Sequence, residues 1–195
     1  MPLVEHLNAG EAATLLSFMK GQDYRGVSYY EIIAAILYCG MRVNEAVHLT
    51  KKDVLWEKGL LVICEKMING QVWRPKTKAT RFVPIPQALR PIIAERMKTQ
   101  GELLFANSKG HMMNDRTILI KLKDACSKAG IKSVHTHSLR HTFTSVSSEG
   151  NIPEVVIQEV LGHKSADMTR RYRHMRPDYL VDRFNSFDYG KKKEV

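Results

Sequence analysis

The sequence predicts an α+β fold, mostly α-helical, with a small three-stranded antiparallel sheet. Apolar residues recur at helical spacing over most of the chain, between recognisable caps and stops. One block alone, Asp53 to Pro86, switches to short β-rich runs joined by turn signals. With 195 residues, 44% of them hydrophobic, the chain makes one substantial domain with at most a short appendage.

The elements follow in order. Asn8-Ala9-Gly10-Glu11 is a capping-box pattern, and Ala12, Leu15, Leu16 and Met19 continue it as a helix to about Lys20. Gly21 to Gly26 reads as a loop. Ser28-Tyr29-Tyr30-Glu31 repeats the capping box and opens a strongly apolar helix through Ile32, Ile33, Ile36 and Leu37, stopped by Gly40. A short helix starts directly afterwards, at Met41-Arg42-Val43-Asn44-Glu45, carrying Val47 and Leu49 inward.

The sheet is expected from Leu60–Cys64, Gln71–Arg74 and Arg81–Ile85, with Asn69-Gly70 as a hairpin turn. Its last turn, Pro75 to Thr80, is polar and presents Lys76 and Lys78 on a flexible tip.

Gln87 to Lys98 reads as a helix and Leu103-Leu104-Phe105 as a short strand, and Asn114 caps an amphipathic helix ending at Gly130. Lys121, Lys123 and Lys128 form the solvated or DNA-facing side of that helix. His135 opens a helix running toward Gly150. Asn151-Ile152-Pro153 starts another, with Val155, Val156, Ile157, Val160 and Leu161 as its apolar side and Gly162 as its end. Beyond Pro177, Leu180, Val181, Phe184 and Phe187 form a last amphipathic piece before a Lys191-Lys192-Lys193 tail. That piece can dock on this domain or on a neighbouring subunit.

Thirty Lys and Arg against twenty Asp and Glu leave a net charge of +10, so a polyanion is the expected partner. No apolar run nears the roughly 20 residues needed to cross a bilayer, which sets aside a membrane partner. Cys39, Cys64 and Cys126 are odd in number, widely separated and set in apolar patterns, as suits buried thiols in a reducing cytoplasm.

The chemistry gathers at a few places. From His163 to Arg176, Lys164, Arg170, Arg171, Arg173 and Arg176 surround Tyr172, with Asp167 the one acid. An unperturbed tyrosine titrates near about 10, but neighbouring cations favour its phenolate and would polarise a bound phosphodiester. Tyr172 is therefore a candidate nucleophile at phosphorus; the plainer reading makes it a surface tyrosine in a helix that grips DNA backbone.

Arg42 sits at a corner of the backbone, with Glu45 three residues on to hold its guanidinium; an ordinary intrahelical ion pair is the plain alternative. Lys76 or Lys78 could swing onto a DNA phosphate or its leaving oxygen. His137 and Arg140 share a helix face. His137 and His141, four apart, also admit a zinc site, though no carboxylate or cysteine lies at useful local spacing and the intervening arginine suits an anion better. No metal and no cofactor is expected.

The set Arg42, Lys76, His137, Arg140, His163 and Tyr172 resembles the catalytic signature of the tyrosine recombinase (phage integrase) family in order and spacing. Gly40-Met41-Arg42-Val43-Asn44-Glu45 looks like the family's first-arginine box, His137-Ser138-Leu139-Arg140-His141 like its His-x-x-Arg-His box, and Leu161-Gly162-His163, nine residues before Tyr172, like its third box and nucleophile. The likeness runs from about residue 6 to about 176, with 177–195 a C-terminal segment that docks in cis or in trans. Lys76, eight residues before Pro84, fits the family's sheet lysine, with Lys78 as a substitute.

The resemblance implies the tyrosine recombinase catalytic-domain fold and a site-specific recombinase or integrase. Tyr172 would form a 3'-phosphotyrosyl link, Arg42 and Arg140 would hold the nonbridging oxygens, and Lys76 would protonate the leaving 5'-oxygen. His137 would assist at the tyrosine and His163 would donate to a nonbridging oxygen. Its partners would be double-stranded DNA, three further copies in a tetramer on DNA, and accessory DNA-bending proteins; alone, the chain would be a monomer. The family's separate N-terminal core-binding domain finds no counterpart here. A catalytically idle DNA-binding regulator and a topoisomerase or telomere resolvase are the rival readings. The regulator would be expected to have lost one of the six groups, and a topoisomerase more often carries a longer linker before its tyrosine.

Overall fold

Helix α2 (Tyr29–Cys39) is buried on every side from Ile32 to Cys39, and the other elements are laid around it. A helix apolar all round belongs at the centre of a domain, and this one does. The structure, a computed structural model, describes residues 5–22, 28–162, 177–185 and 187–189. Most of the expected loop from Gly21 to Gly26, the basic stretch from His163 to Arg176 and the lysine tail lie outside the described residues.

Helix α1 (Ala9–Met19) carries the reciprocal cap its sequence announces: Glu11 N–H donates to Asn8 Oδ1, and Asn8 N–H to Glu11 Oε2, each at 2.8 Å. The matching box at the start of α2 does not form. Ser28 makes no side-chain cap bond, and the Glu31 carboxylate instead lies 3.3 Å from Arg96 Nη1. A guanidinium brought close by tertiary structure outcompetes a local backbone donor there.

Gly40 ends α2 with φ at 59°. A Cβ there would run into the Phe143 ring and come within 2.9 Å of Leu161 Cδ2, so glycine is required by both conformation and space. Helix α3 (Val43–Val47) follows after a two-residue corner.

The three-stranded sheet has the order β1-β2-β5, all antiparallel, from Val54–Leu55, Leu60–Ile63 and Arg81–Pro84. Its membership differs from the expectation. Gln71–Trp73 (β4) pairs with Lys66–Ile68 (β3) as a separate two-stranded ribbon. The two-residue turn explains this: Asn69 and Gly70 both have positive φ, 50° and 78°, and such a turn makes its own flanks pair with each other. Leu60–Ile63 is then left to pair with Arg81–Pro84, Ile63 opposite Arg81.

Helix α4 (Arg90–Lys98) begins three residues later than expected, and Leu103–Phe105 makes only an isolated bridge, Leu103 to Thr50, in place of a strand. Helix α5 (Asp115–Lys128) is capped by Asn114 as expected, and α6 (Thr136–Glu149) runs to Gly150. Helix α7 (Glu154–Leu161) is closed by Gly162 at φ 69°. Helix α8 (Pro177–Phe184) lies against β5.

The described residues after Arg176, 177–185 and 187–189, dock in cis in this structure. Leu180, Phe184, Phe187 and Tyr189 are all buried in the domain's own core. Phe184 stacks on Phe143 with centroids 5.5 Å apart, Tyr38 donates its hydroxyl to Asp188 at 3.0 Å, and Tyr189 donates to Leu37 O at 2.8 Å. Each large apolar side chain buried this way contributes about 1.5–3 kcal/mol relative to exposure. Cys39 and Cys126 are buried free thiols and Cys64 is half-buried.

Candidate active site

Arg42 is the N-cap of α3, where the backbone leaves the Gly40 corner in an extended conformation. Glu45 holds it twice, accepting its backbone N–H at 2.8 Å and its Nη1 at 3.1 Å. The sequence suggests that pairing. It does not suggest the second partner, Arg81, whose Nη1 and Nη2 reach Glu45 Oε1 and Oε2 at 2.9 and 2.6 Å. The Glu45 carboxylate therefore lies between two guanidinium groups. Burial pushes its carboxyl up, but Arg81 and then Arg42 outweigh that and hold it below the usual range.

Two arginines also tie this corner to the end of α7. Arg81 Nε donates to Val160 O at 2.9 Å. Arg140 donates from Nη1 to Gly40 O at 2.7 Å and from Nη2 to Leu161 O at 2.6 Å. The last carbonyls of a helix carry its partial negative charge, so guanidinium groups are favoured there. Gly162 makes room: a Cβ on it would sit 2.8 Å from Arg81 Cδ. The turn that leads into His163 is thus braced from beneath by both arginines.

Arg140 is 3% exposed, and its pKa is held down to about 9, by burial first and then by Arg42 and Arg81, with Glu45 acting the other way. It stays cationic at neutral pH. Arg42 and Arg81 share the Glu45 carboxylate and Arg140 lies near enough to feel its charge, so among these four groups positive charge exceeds negative, which favours an anion nearby.

His137 lies on the exposed side of α6, three residues before Arg140. Its ring meets that of His141 edge-on, centroids 4.8 Å apart. Burial lowers the His137 pKa, and His141, Arg140, Arg42 and Lys76 lower it further. The imidazole is neutral at pH 7 and able to accept a proton. Among the described residues no group of three His, Cys, Asp or Glu side chains is placed to hold a metal.

Lys76 is exposed in the turn after β4, near enough for its charge to act on His137. Lys78, also exposed, has φ at 51° and donates its backbone N–H to Pro75 O at 2.8 Å. The structure thus brings Arg42, Lys76, His137 and Arg140 into one electrostatic neighbourhood. His163 and Tyr172 lie outside the described residues.

Arg81 is the residue that reading the sequence missed. A signal existed: in Arg81-Phe82-Val83-Pro84 the two-residue period puts Arg81 on the same side as the buried Val83, with Phe82 facing out. A charge on the inward side of a strand demands a buried counter-charge.

Known proteins resemble this chain in sequence and in fold. The model of the phage integrase family matches residues 5–178. A tyrosine recombinase XerC from Pelobacter propionicus is 29% identical over 184 residues, covering 91% of this chain and 57% of that protein. The crystal structure of XerA recombinase superposes with a TM-score of 0.66 at 26% identity, over 93% of this chain and 63% of that one. The XerH site-specific recombinase bound to its difH substrate in a pre-cleavage complex gives 0.63 at 25% identity, over 87% and 50%. The chain spans about half the length of the curated relatives it matches. The family match over nearly all its length means that the chain belongs to the phage integrase family of tyrosine recombinases.

Proposed function

We propose that this chain cleaves and rejoins DNA strands at specific sites through a covalent 3'-phosphotyrosyl link to Tyr172. The phenol oxygen attacks the scissile phosphorus while the bond from phosphorus to the 5'-oxygen breaks. The phenol proton leaves toward His137, and the 5'-oxygen takes a proton from Lys76. Negative charge that builds on the nonbridging oxygens is met by Arg42 and Arg140, with His163 as a further donor. A 5'-hydroxyl from a second strand reverses the steps, so the energy of the broken bond is kept and no nucleotide triphosphate is needed.

The observation that carries this reading is the cationic cluster, in which Arg42 and Arg81 share the Glu45 carboxylate and Arg140 is anchored on Gly40 O at the same corner, beside the neutral His137. Its excess charge suits a phosphodiester. The neighbourhood of Lys76 and His137 supports Lys76 over Lys78 as the acid. The partner is double-stranded DNA, and exchange between two duplexes calls for four protomers on the DNA, with the isolated chain a monomer.

The test uses a nicked suicide duplex bearing a core site selected from a randomised library by trapping. The chain should become covalently fixed to a 3'-phosphate, and Tyr172→Phe should abolish the adduct while keeping DNA binding. An unchanged adduct in that variant would remove Tyr172 from the chemistry.

A further inference from the structure

The turn that carries Lys76 is tight and polar, with Pro75 buried at its start. Its backbone bond runs from Lys78 N–H to Pro75 O, and the Thr77 hydroxyl beside Lys76 is buried without a partner. An exposed lysine side chain has many rotamers, which is unfavourable for a group that must meet one oxygen atom.

The strand before the turn is held by side chains. Trp73 ends β4, three residues ahead of Lys76. Its indole Nε1–H donates to Asn44 Oδ1 at 3.0 Å. Its ring lies stacked on His48, centroids 5.0 Å apart and 15° from parallel, while Lys66 Nζ stands 5.3 Å from the indole centroid. Asn44 lies within α3 and His48 is its C-cap, with Arg42 as the N-cap of the same five-residue helix. His48 Nδ1 lies 2.6 Å from Asn44 O, so the two groups that receive the indole are themselves fixed to each other.

We propose that Trp73 is a positioning residue for proton transfer: locked onto Asn44 and His48, it fixes the strand end from which Lys76 projects relative to Arg42. The idea rests on the reading of Lys76 as the acid in strand cleavage. Trp73 also covers the small apolar cluster of Ile68, Leu103 and Ala106, so a purely stabilising role is the competing explanation.

A leaving group that needs no acid separates the two. A duplex with sulfur in place of the bridging 5'-oxygen departs as a thiolate, so loss of a well-placed acid should slow cleavage of the oxygen-linked duplex and spare the sulfur-linked one. The full chain and its Trp73→Ala, Trp73→Phe and Asn44→Ala variants are compared on both duplexes, with thermal melts to establish folding. Displacing the acid by about an ångström costs on the order of a hundredfold, so Trp73→Ala should cleave the oxygen-linked duplex about thirty- to a hundredfold more slowly. On the sulfur-linked duplex it should stay within about threefold of the parent. Trp73→Phe keeps the ring but not the donor, and Asn44→Ala removes the acceptor, so both should show smaller losses, and together they should be no worse than either alone.

Equal losses on both duplexes, or none on the oxygen-linked one, would overturn the proposal. If Trp73→Ala does not fold, the two milder variants decide in the same way. Absence of any adduct from the parent chain would instead overturn the Tyr172 reading, and this inference with it.

Discussion

Arg81 and Glu45 meet as a bidentate pair, nitrogen to oxygen at 2.9 and 2.6 Å, with 4% and 2% of their side chains exposed. Both oxygens of the carboxylate are used, and Arg42 shares them, its guanidinium at Oε1 and its backbone N–H at Oε2. Removing one member of such a buried pair leaves the other charge uncompensated, which costs about 3–5 kcal/mol. Glu45→Gln should lower the stability by about that amount in urea titrations, and Arg81→Met by less, because Arg42 stays on the carboxylate. A loss below about 1 kcal/mol would place the pair among exposed ion pairs of little weight.

The same carboxylate makes stability depend on acid. Glu45 titrates below its ordinary value of 4.5 in the folded chain, because Arg81 and Arg42 together outweigh burial. The unfolded chain therefore binds this proton more readily, and stability from Glu45 is whole above pH 4.5 and lost as pH falls through the folded value. The gap between the parent and Glu45→Gln should narrow on acidification from neutral pH. A gap independent of pH would show that the carboxylate charge is not what holds the cluster.

His137 gives a separate test in the cleavage step. Burial, His141 and the neighbouring cations lower its pKa below 6.5, so the ring stays neutral to a lower pH than a free imidazole. The cleavage rate should hold as pH drops to 6.5 and fall only below it, as the ring takes up a proton and can no longer accept one from Tyr172. His137→Gln should lose that acid limb. An acid limb centred above 6.5 would contradict the depressed value, and a limb that survives the substitution would belong to another group.

Much of this was legible in the sequence, for reasons that can be named. The α1 cap, the Gly40 and Gly162 stops and the Asn114 cap of α5 depend on local chemistry, and the sequence states them locally. Glu45 lay within one turn of Arg42, so their contact was also readable. What failed to show were contacts that close long loops. Glu31 leaves its expected cap for Arg96, 65 positions away, and Arg81 crosses 36 positions to Glu45 and 79 to Val160. The strand pairing is an intermediate case: the Asn69-Gly70 turn is local and legible, whereas the separate ribbon it makes depends on which strand Leu60–Ile63 then finds.

Two helix-ending glycines offer a controlled comparison. Gly130, after α5, and Gly162, after α7, have nearly the same backbone, φ 67° and 69°. A Cβ on Gly130 would meet nothing within 4 Å, whereas one on Gly162 would press on Arg81 at 2.8 Å from Cδ and 3.3 Å from Nε. Alanine at either position carries the left-handed strain of about 1–2 kcal/mol. At Gly162 it must also move Arg81, at a further cost of about 1–3 kcal/mol for overpacking. Moving Arg81 disturbs the bond to Val160 O and the grip on Glu45, and through Glu45 the placement of Arg42. Gly130→Ala should therefore lower the melting temperature and leave strand cleavage as it was. Gly162→Ala should lower the melting temperature further and slow cleavage by about tenfold or more, as expected when a fixed charge is shifted from the transition state. Equal melting losses would mean that Arg81 yields freely beneath Gly162, and an unimpaired cleavage rate in Gly162→Ala would uncouple this strut from Arg42.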